Sequence, residues 1–227
     1  MLYLQPIPDN PLLNLNLTSA DPAALGFMVF GVVLAILLGH ACYTDIFCNK
    51  IIKNQVNAAI FVICLVAAPF IFASIGSHLL VVLAVYIFLF FIALLGAAKM
   101  GDIKLYAGLT VVLGLAGIYM IFLSWLVIII YSIPIMIKTV QENKRSGVKA
   151  KRGQRLGSAP GAPGIVIAFY LTSLAIGLDA QLVGIAAVIS LLSVAGFYFL
   201  IGPKEPEEEL GDSSEEKIDP SPEAATA

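Results

Sequence analysis

Charge is scarce in this chain. Only 12% of its 227 residues are Asp, Glu, Lys or Arg, about half the share of an ordinary soluble domain. With 59% hydrophobic residues and a mean hydropathy of +0.95, that scarcity excludes a water-soluble globular fold. Cysteine is scarce too. Cys42, Cys48 and Cys64 form no CxxC pair and no zinc spacing, so neither a disulfide framework nor a metal site is indicated. No cofactor motif is legible. The first 23 residues lack Lys and Arg, which leaves no basic start for a Sec-type signal. The net charge of −2 hides a segregation, with the acids gathered between Glu205 and Glu223. Nothing in that balance favours nucleic acid.

What the chain has instead is a series of apolar runs near 20 residues long, the length of a membrane span. Seven spans are predicted: Ala24–Cys42, Val56–Ile75, Leu79–Ala98, Leu105–Met120, Phe122–Ile137, Gly161–Leu178 and Leu182–Ile201. In hydrocarbon each segment must satisfy its own backbone groups, so helices are expected. The predicted fold class is all-α, a polytopic membrane helix bundle. As one helix, Leu105–Val140 would run about 54 Å, too long for a hydrocarbon core of about 30 Å. A tight turn near Gly114–Tyr119 is therefore predicted.

Under that division every Lys and Arg falls on one face. Lys50 and Lys53 follow span one, and Lys99 and Lys104 follow span three. Lys138 to Arg155 follow span five, and Lys204 and Lys217 follow span seven. The positive-inside rule makes that face cytoplasmic and puts the N-terminus outside. The expected organisation is an extracytoplasmic segment 1–23, a transmembrane domain 24–201 with a basic loop 139–158, and an acidic, disordered tail 202–227. The loop can meet anionic headgroups or simply anchor the topology.

Two acids stand out against this background. Asp102 lies in Met100-Gly101-Asp102-Ile103-Lys104-Leu105, between two apolar runs, and Asp45 lies just past the first span. An acid at a membrane boundary is costly and is a functional-site hypothesis by default. The topology puts both on the cytoplasmic side. Two neighbouring carboxylates can hydrolyse a peptide: one takes a proton from the attacking water and the other, protonated, polarises the scissile carbonyl. Gly101 can supply a tight turn or close approach. The bland readings are an N-cap for Asp102 and a helix-end acid near Lys50 for Asp45. Lys104 can influence Asp102 or snorkel to headgroups. His40 can hydrogen-bond between helices, and His78 is expected in a solvated outer loop. Tyr106, Trp125 and Tyr131 are read as packing or interface aromatics. Pro134 is expected to kink or end span five, and Asp179 to cap a helix or lie in an outer turn.

The Met100–Leu105 segment, followed by Ala107 and Gly108, resembles the GxGD-x-K-L motif of type IV prepilin peptidases, with Lys99 in place of the first glycine. Asp45, followed by basic and Asn positions, resembles that family's first catalytic aspartate. Phe47, Asn49 and Ile52 depart from its usual pattern. The stretch Ala159-Pro160-Gly161-Ala162-Pro163-Gly164 resembles the Pro/Gly-rich start of a late helix in these enzymes. The similarity covers roughly Leu25–Leu200 and is greatest to the short forms that process Flp-type pilins.

The resemblance implies a GxGD membrane aspartyl protease. Asp45 and Asp102 would be catalytic, and Gly101, Lys104 and Lys50 would support the motif or bind substrate. No cofactor is implied. The partners would be prepilin or pseudopilin substrates in a bacterial plasma membrane. A catalytically inactive assembly scaffold and a small transporter remain as alternatives. The lack of charged or His residues within spans two to seven speaks against transport.

Overall fold

The computed structural model describes residues 22–48, 54–71, 75–94, 100–145 and 160–202. Among these are seven helices and no strands, an all-α membrane helix bundle. They are α1 (Pro22–Phe47), α2 (Asn54–Ile71), α3 (Ile75–Leu94), α4 (Met100–Leu113), α5 (Ala116–Arg145), α6 (Ala162–Ala175) and α7 (Ala180–Ile201). Three stretches, Met28–Phe47, Ala116–Lys138 and Ala180–Ile201, are long and apolar enough to cross a membrane. The helices in α2, α3 and α6 are shorter but equally apolar.

The predicted turn in the long apolar run is present. Gly114 has φ +58°, a left-handed conformation that residues with a Cβ rarely adopt, and its N–H closes on Thr110 O at 2.8 Å. The break comes early in the expected window, so α4 has only 14 residues while α5 has 30. At 1.5 Å per residue α4 is about 21 Å long and α5 about 45 Å. The chain stays helical through Pro134, which does not end α5. The expected loop 139–158 therefore begins as helix and is helical up to Arg145.

The short helix α4 is the axis of the bundle. It packs on α2, α3, α5 and α6 and buries Ile103, Leu105, Tyr106, Leu109 and Val111 almost completely. From Leu105 to Val111 every residue is buried, so all faces of that stretch meet neighbouring helices, as in a helix enclosed by a bundle. Its small residues let α2 come close: a Cβ on Gly108 would be 3.1 Å from Ile60 Cγ2. His78 is not in the solvated outer loop expected for it. It is buried in α3, and its Nε2–H donates to Val111 O at 2.6 Å, tying α3 to α4.

On the other side α1 pairs chiefly with α7. Small residues and hydroxyls make that contact, as is usual where lipid removes the hydrophobic drive between helices. Ser190 Oγ donates to Ala35 O at 2.8 Å and also meets Tyr170 Oη of α6 at 2.6 Å. His40 stacks edge-on against Phe197 of α7 with ring centroids 4.7 Å apart. A Cβ on Gly39 would stand 2.5 Å from Ser190 O and 2.6 Å from Ser193 Cβ. Gly39→Ala is expected to push α1 off α7 and to cost about 1–3 kcal/mol, as overpacking does. Thermal unfolding in detergent measures it. Asp179 caps α7 as expected, accepting from Gln181 N at 2.7 Å and Leu182 N at 3.1 Å. All three cysteines are buried and free.

Candidate active site

Three helix ends meet at one place. Asp45 lies in the last turn of α1 rather than beyond it. Asp102 lies in the first turn of α4. Gly161 is the N-cap of α6, with Pro163 in that helix's first turn. Asp45 Oδ2 accepts the backbone N–H of Ala162 at 2.8 Å. A Cβ on Gly161 would be 2.7 Å from Asp102 Oδ2 and 2.9 Å from its Cγ and Oδ1. Two acids far apart in sequence thus face adjacent residues at one helix terminus. Both are half-buried.

The electrostatics of the helix ends make this arrangement tolerable. The N-terminus of α6 carries unsatisfied N–H groups and partial positive charge, which favours anions beside it. Asp102 gains further from its place in the first turn of α4. Asp45 is at the unfavourable, negative end of α1, and the Ala162 N–H offsets that with a charge-assisted bond. Pro163 has no N–H to donate, so Ala162 is the natural donor to an incoming carboxylate.

Gly101 does not form the expected turn. It is a buried residue inside α4, and the positive-φ glycines among the described residues are Gly114, Gly177 and Gly202. Its carbonyl faces Asn57 Nδ2 of α2 at 3.4 Å. Lys104 is exposed, and its Nζ donates to Asn54 Oδ1 at 2.7 Å, so its charge is tied to the start of α2. Lys50 and Lys99 lie outside the described residues.

Aromatic residues complete the surroundings. Tyr106 is one turn beyond Asp102 on α4, and its hydroxyl is paired with Ser124 Oγ of α5 at 2.5 Å. Tyr131 of α5 lies within electrostatic reach of Asp45, Asp102, Cys42 and Tyr106. Read from sequence as a packing or interface aromatic, it packs on Gly164 of α6 and lies near both acids as well. The sequence reading also missed the role of the Gly161–Ala162 peptide. Its signal was the Pro/Gly-rich stretch from Pro160 to Gly164.

An apolar cavity of about 380 Å³ opens at the other end of the bundle, lined by Phe30, Leu34, Val112, Phe169, Leu182 and Ala186 among others. The one acid on its wall, Asp179, is the cap of α7. Asp45 and Asp102 lie at the opposite end of the bundle from this cavity.

Fold and site together define a membrane helix bundle with two carboxylates gathered at a helix N-terminus. Residues 32–133 match the type IV leader peptidase family. Over that stretch the chain is similar to the family, which supports a prepilin leader peptidase-type function in general terms. The matched segment contains Asp45, Asp102 and Tyr131, while α6 lies beyond it. Comparisons with curated proteins and with solved structures gave no match.

Proposed function

We propose that this protein is an aspartic endopeptidase that removes the leader of Flp-type prepilins at the cytoplasmic boundary of the membrane, with Asp45 and Asp102 as its catalytic pair. The observation that carries the reading is the convergence of both carboxyls on Gly161–Ala162. One carboxylate takes a proton from a water as its oxygen attacks the scissile carbonyl carbon. The other carboxyl gives its proton to the carbonyl oxygen. The tetrahedral intermediate then collapses, the C–N bond breaks, and the leaving nitrogen takes a proton from the pair.

The topology fits such a substrate. With all Lys and Arg on one face, the positive-inside rule makes that face cytoplasmic and the N-terminus external. Asp45 at the end of α1 and Asp102 at the start of α4 then lie at the cytoplasmic boundary. A prepilin with a basic leader and an apolar helix presents its junction at that level. The organisation proposed with it is a peptidase domain over 24–201, a basic cytoplasmic segment 139–158, an external segment 1–23 and a cytoplasmic tail 202–227. Within 139–158 the part up to Arg145 extends α5.

The test is cleavage of a synthetic peptide, a basic leader ending in Gly followed by an apolar helix, by the full chain reconstituted in liposomes. A cut after the glycine is expected, and an uncut peptide or a cut within the helix contradicts the reading. The proposed chemistry needs two carboxyls and a water, so the rate is expected to be unchanged in a chelator. Loss of cleavage on chelation would point to a metal-dependent reaction.

A further inference from the structure

Tyr131, half-buried, is set apart from the other buried and half-buried tyrosines among the described residues. Tyr43 donates to Gly202 O at 2.5 Å, Tyr106 pairs with Ser124, and Tyr170 pairs with Ser190. The Tyr131 hydroxyl is buried and has no hydrogen-bond partner. An unpaired buried hydroxyl is destabilising unless something else uses it.

Its position says what that use is. A Cβ on Gly164 would be 3.4 Å from Tyr131 Cε1. Gly164 lies three residues after Gly161 and so on the same face of α6, the face that meets Asp102. The ring therefore stands about one helical turn from the carboxylates. Its hydroxyl is within electrostatic reach of both acids and hydrogen-bonded to neither.

We infer that Tyr131 is a further catalytic residue of this site, its hydroxyl donating a hydrogen bond to the former carbonyl oxygen of the tetrahedral intermediate. The inference rests on the peptidase reading above. The phenol keeps its proton throughout. The proton that reaches the carbonyl oxygen comes from the protonated carboxyl, and Tyr131 stabilises the charge that builds there before transfer is complete. A donor waiting unpaired in the resting site has no competing bond to break when that charge develops.

Tyr131→Phe tests this because it removes one oxygen and leaves the ring packed on Gly164. Full-length Tyr131→Phe, Asp45→Asn and Asp102→Asn are compared with the wild type in the leader-peptide assay, with kcat and KM measured separately. The expected result for Tyr131→Phe is a fall in kcat of about 10²-fold with KM little changed. Its thermal unfolding is expected at or above the wild-type temperature, since an unpaired polar group is lost. A wild-type kcat in Tyr131→Phe, with both aspartate variants inactive, overturns the role of Tyr131 and leaves the peptidase reading standing. A fall in kcat matched by a drop in unfolding temperature also overturns it, since that marks a structural hydroxyl. Cleavage that survives in either aspartate variant overturns the peptidase reading itself, and the role of Tyr131 with it.

Discussion

Asn at either Asp45 or Asp102 is expected to lower leader cleavage by roughly 10²–10⁴-fold, and Asn at both positions to lower it little further. The size of the effect comes from the loss of acid–base chemistry that no neighbour can supply. The lack of additivity comes from the two carboxyls acting on one water and one carbonyl, so that losing either removes the function of both. Asn is the informative replacement at Asp45 because its side-chain oxygen can still accept the Ala162 N–H that Asp45 Oδ2 holds at 2.8 Å. The start of α6 stays capped, and a loss of activity then reports chemistry rather than a displaced helix. Initial rates on the leader peptide, with thermal unfolding of each variant beside them, measure both. Losses that multiply in the double variant would show two acids with separate tasks.

Gly161→Ala is expected to have a further large effect, a fall in kcat/KM of about 10²-fold, the scale set by displacing a reacting group by about 1 Å. Gly161 has φ −83° and ψ −38°, a conformation open to any residue, so the backbone does not demand glycine there. The demand is space. The added methyl would stand 2.7–2.9 Å from the three carboxyl atoms of Asp102, and the flexible side chain rather than the helix will give way. The fold should tolerate the change: replacing Gly by Ala at a compatible position typically stabilises by about 0.4–1 kcal/mol. Activity and stability are therefore expected to move in opposite directions. Unchanged activity would mean that Asp102 does not need its present place beside α6.

This prediction was only half legible in the sequence, and the reason is physical. Asp45 and Asp102 stood out because an acid beside an apolar run is costly wherever the helices go, and that cost can be read in one dimension. The turn at Gly114 was legible for a similar reason, since membrane thickness limits how long a helix can run. Gly161 looked only like the start of a helix. What makes it part of the site is the arrival of α6 across α1 and α4, a tertiary fact that hydropathy does not encode. Tyr131 was hidden in the same way. Within a run such as Trp125–Ile137 an aromatic residue looks the same facing lipid or facing a carboxylate. His78, beside Gly76 and Ser77, resembled a loop residue, yet α3 begins at Ile75 and the ring turns inward to Val111 O. Gly101, read as allowing a tight turn or a close approach, makes no turn: it is a helical residue, buried opposite Asn57.

The helix ends also explain how a membrane bundle can hold two acids close together. Their mutual repulsion is opposed by the N-terminus of α6, which faces both, and by that of α4, which carries Asp102 in its first turn. Helix termini contribute to assembling such a site. The helices that open at the site, α4 and α6, have 14 residues each and are about 21 Å long.

The most direct test is mass spectrometry of the leader–helix peptide after incubation with the reconstituted full chain, the wild type beside Asp45→Asn and Asp102→Asn. Two fragments joined at the leader glycine are expected from the wild type alone, with all three proteins unfolding at similar temperatures. An intact peptide with the wild type, or the same two fragments from either variant, would contradict a catalytic pair at Asp45 and Asp102.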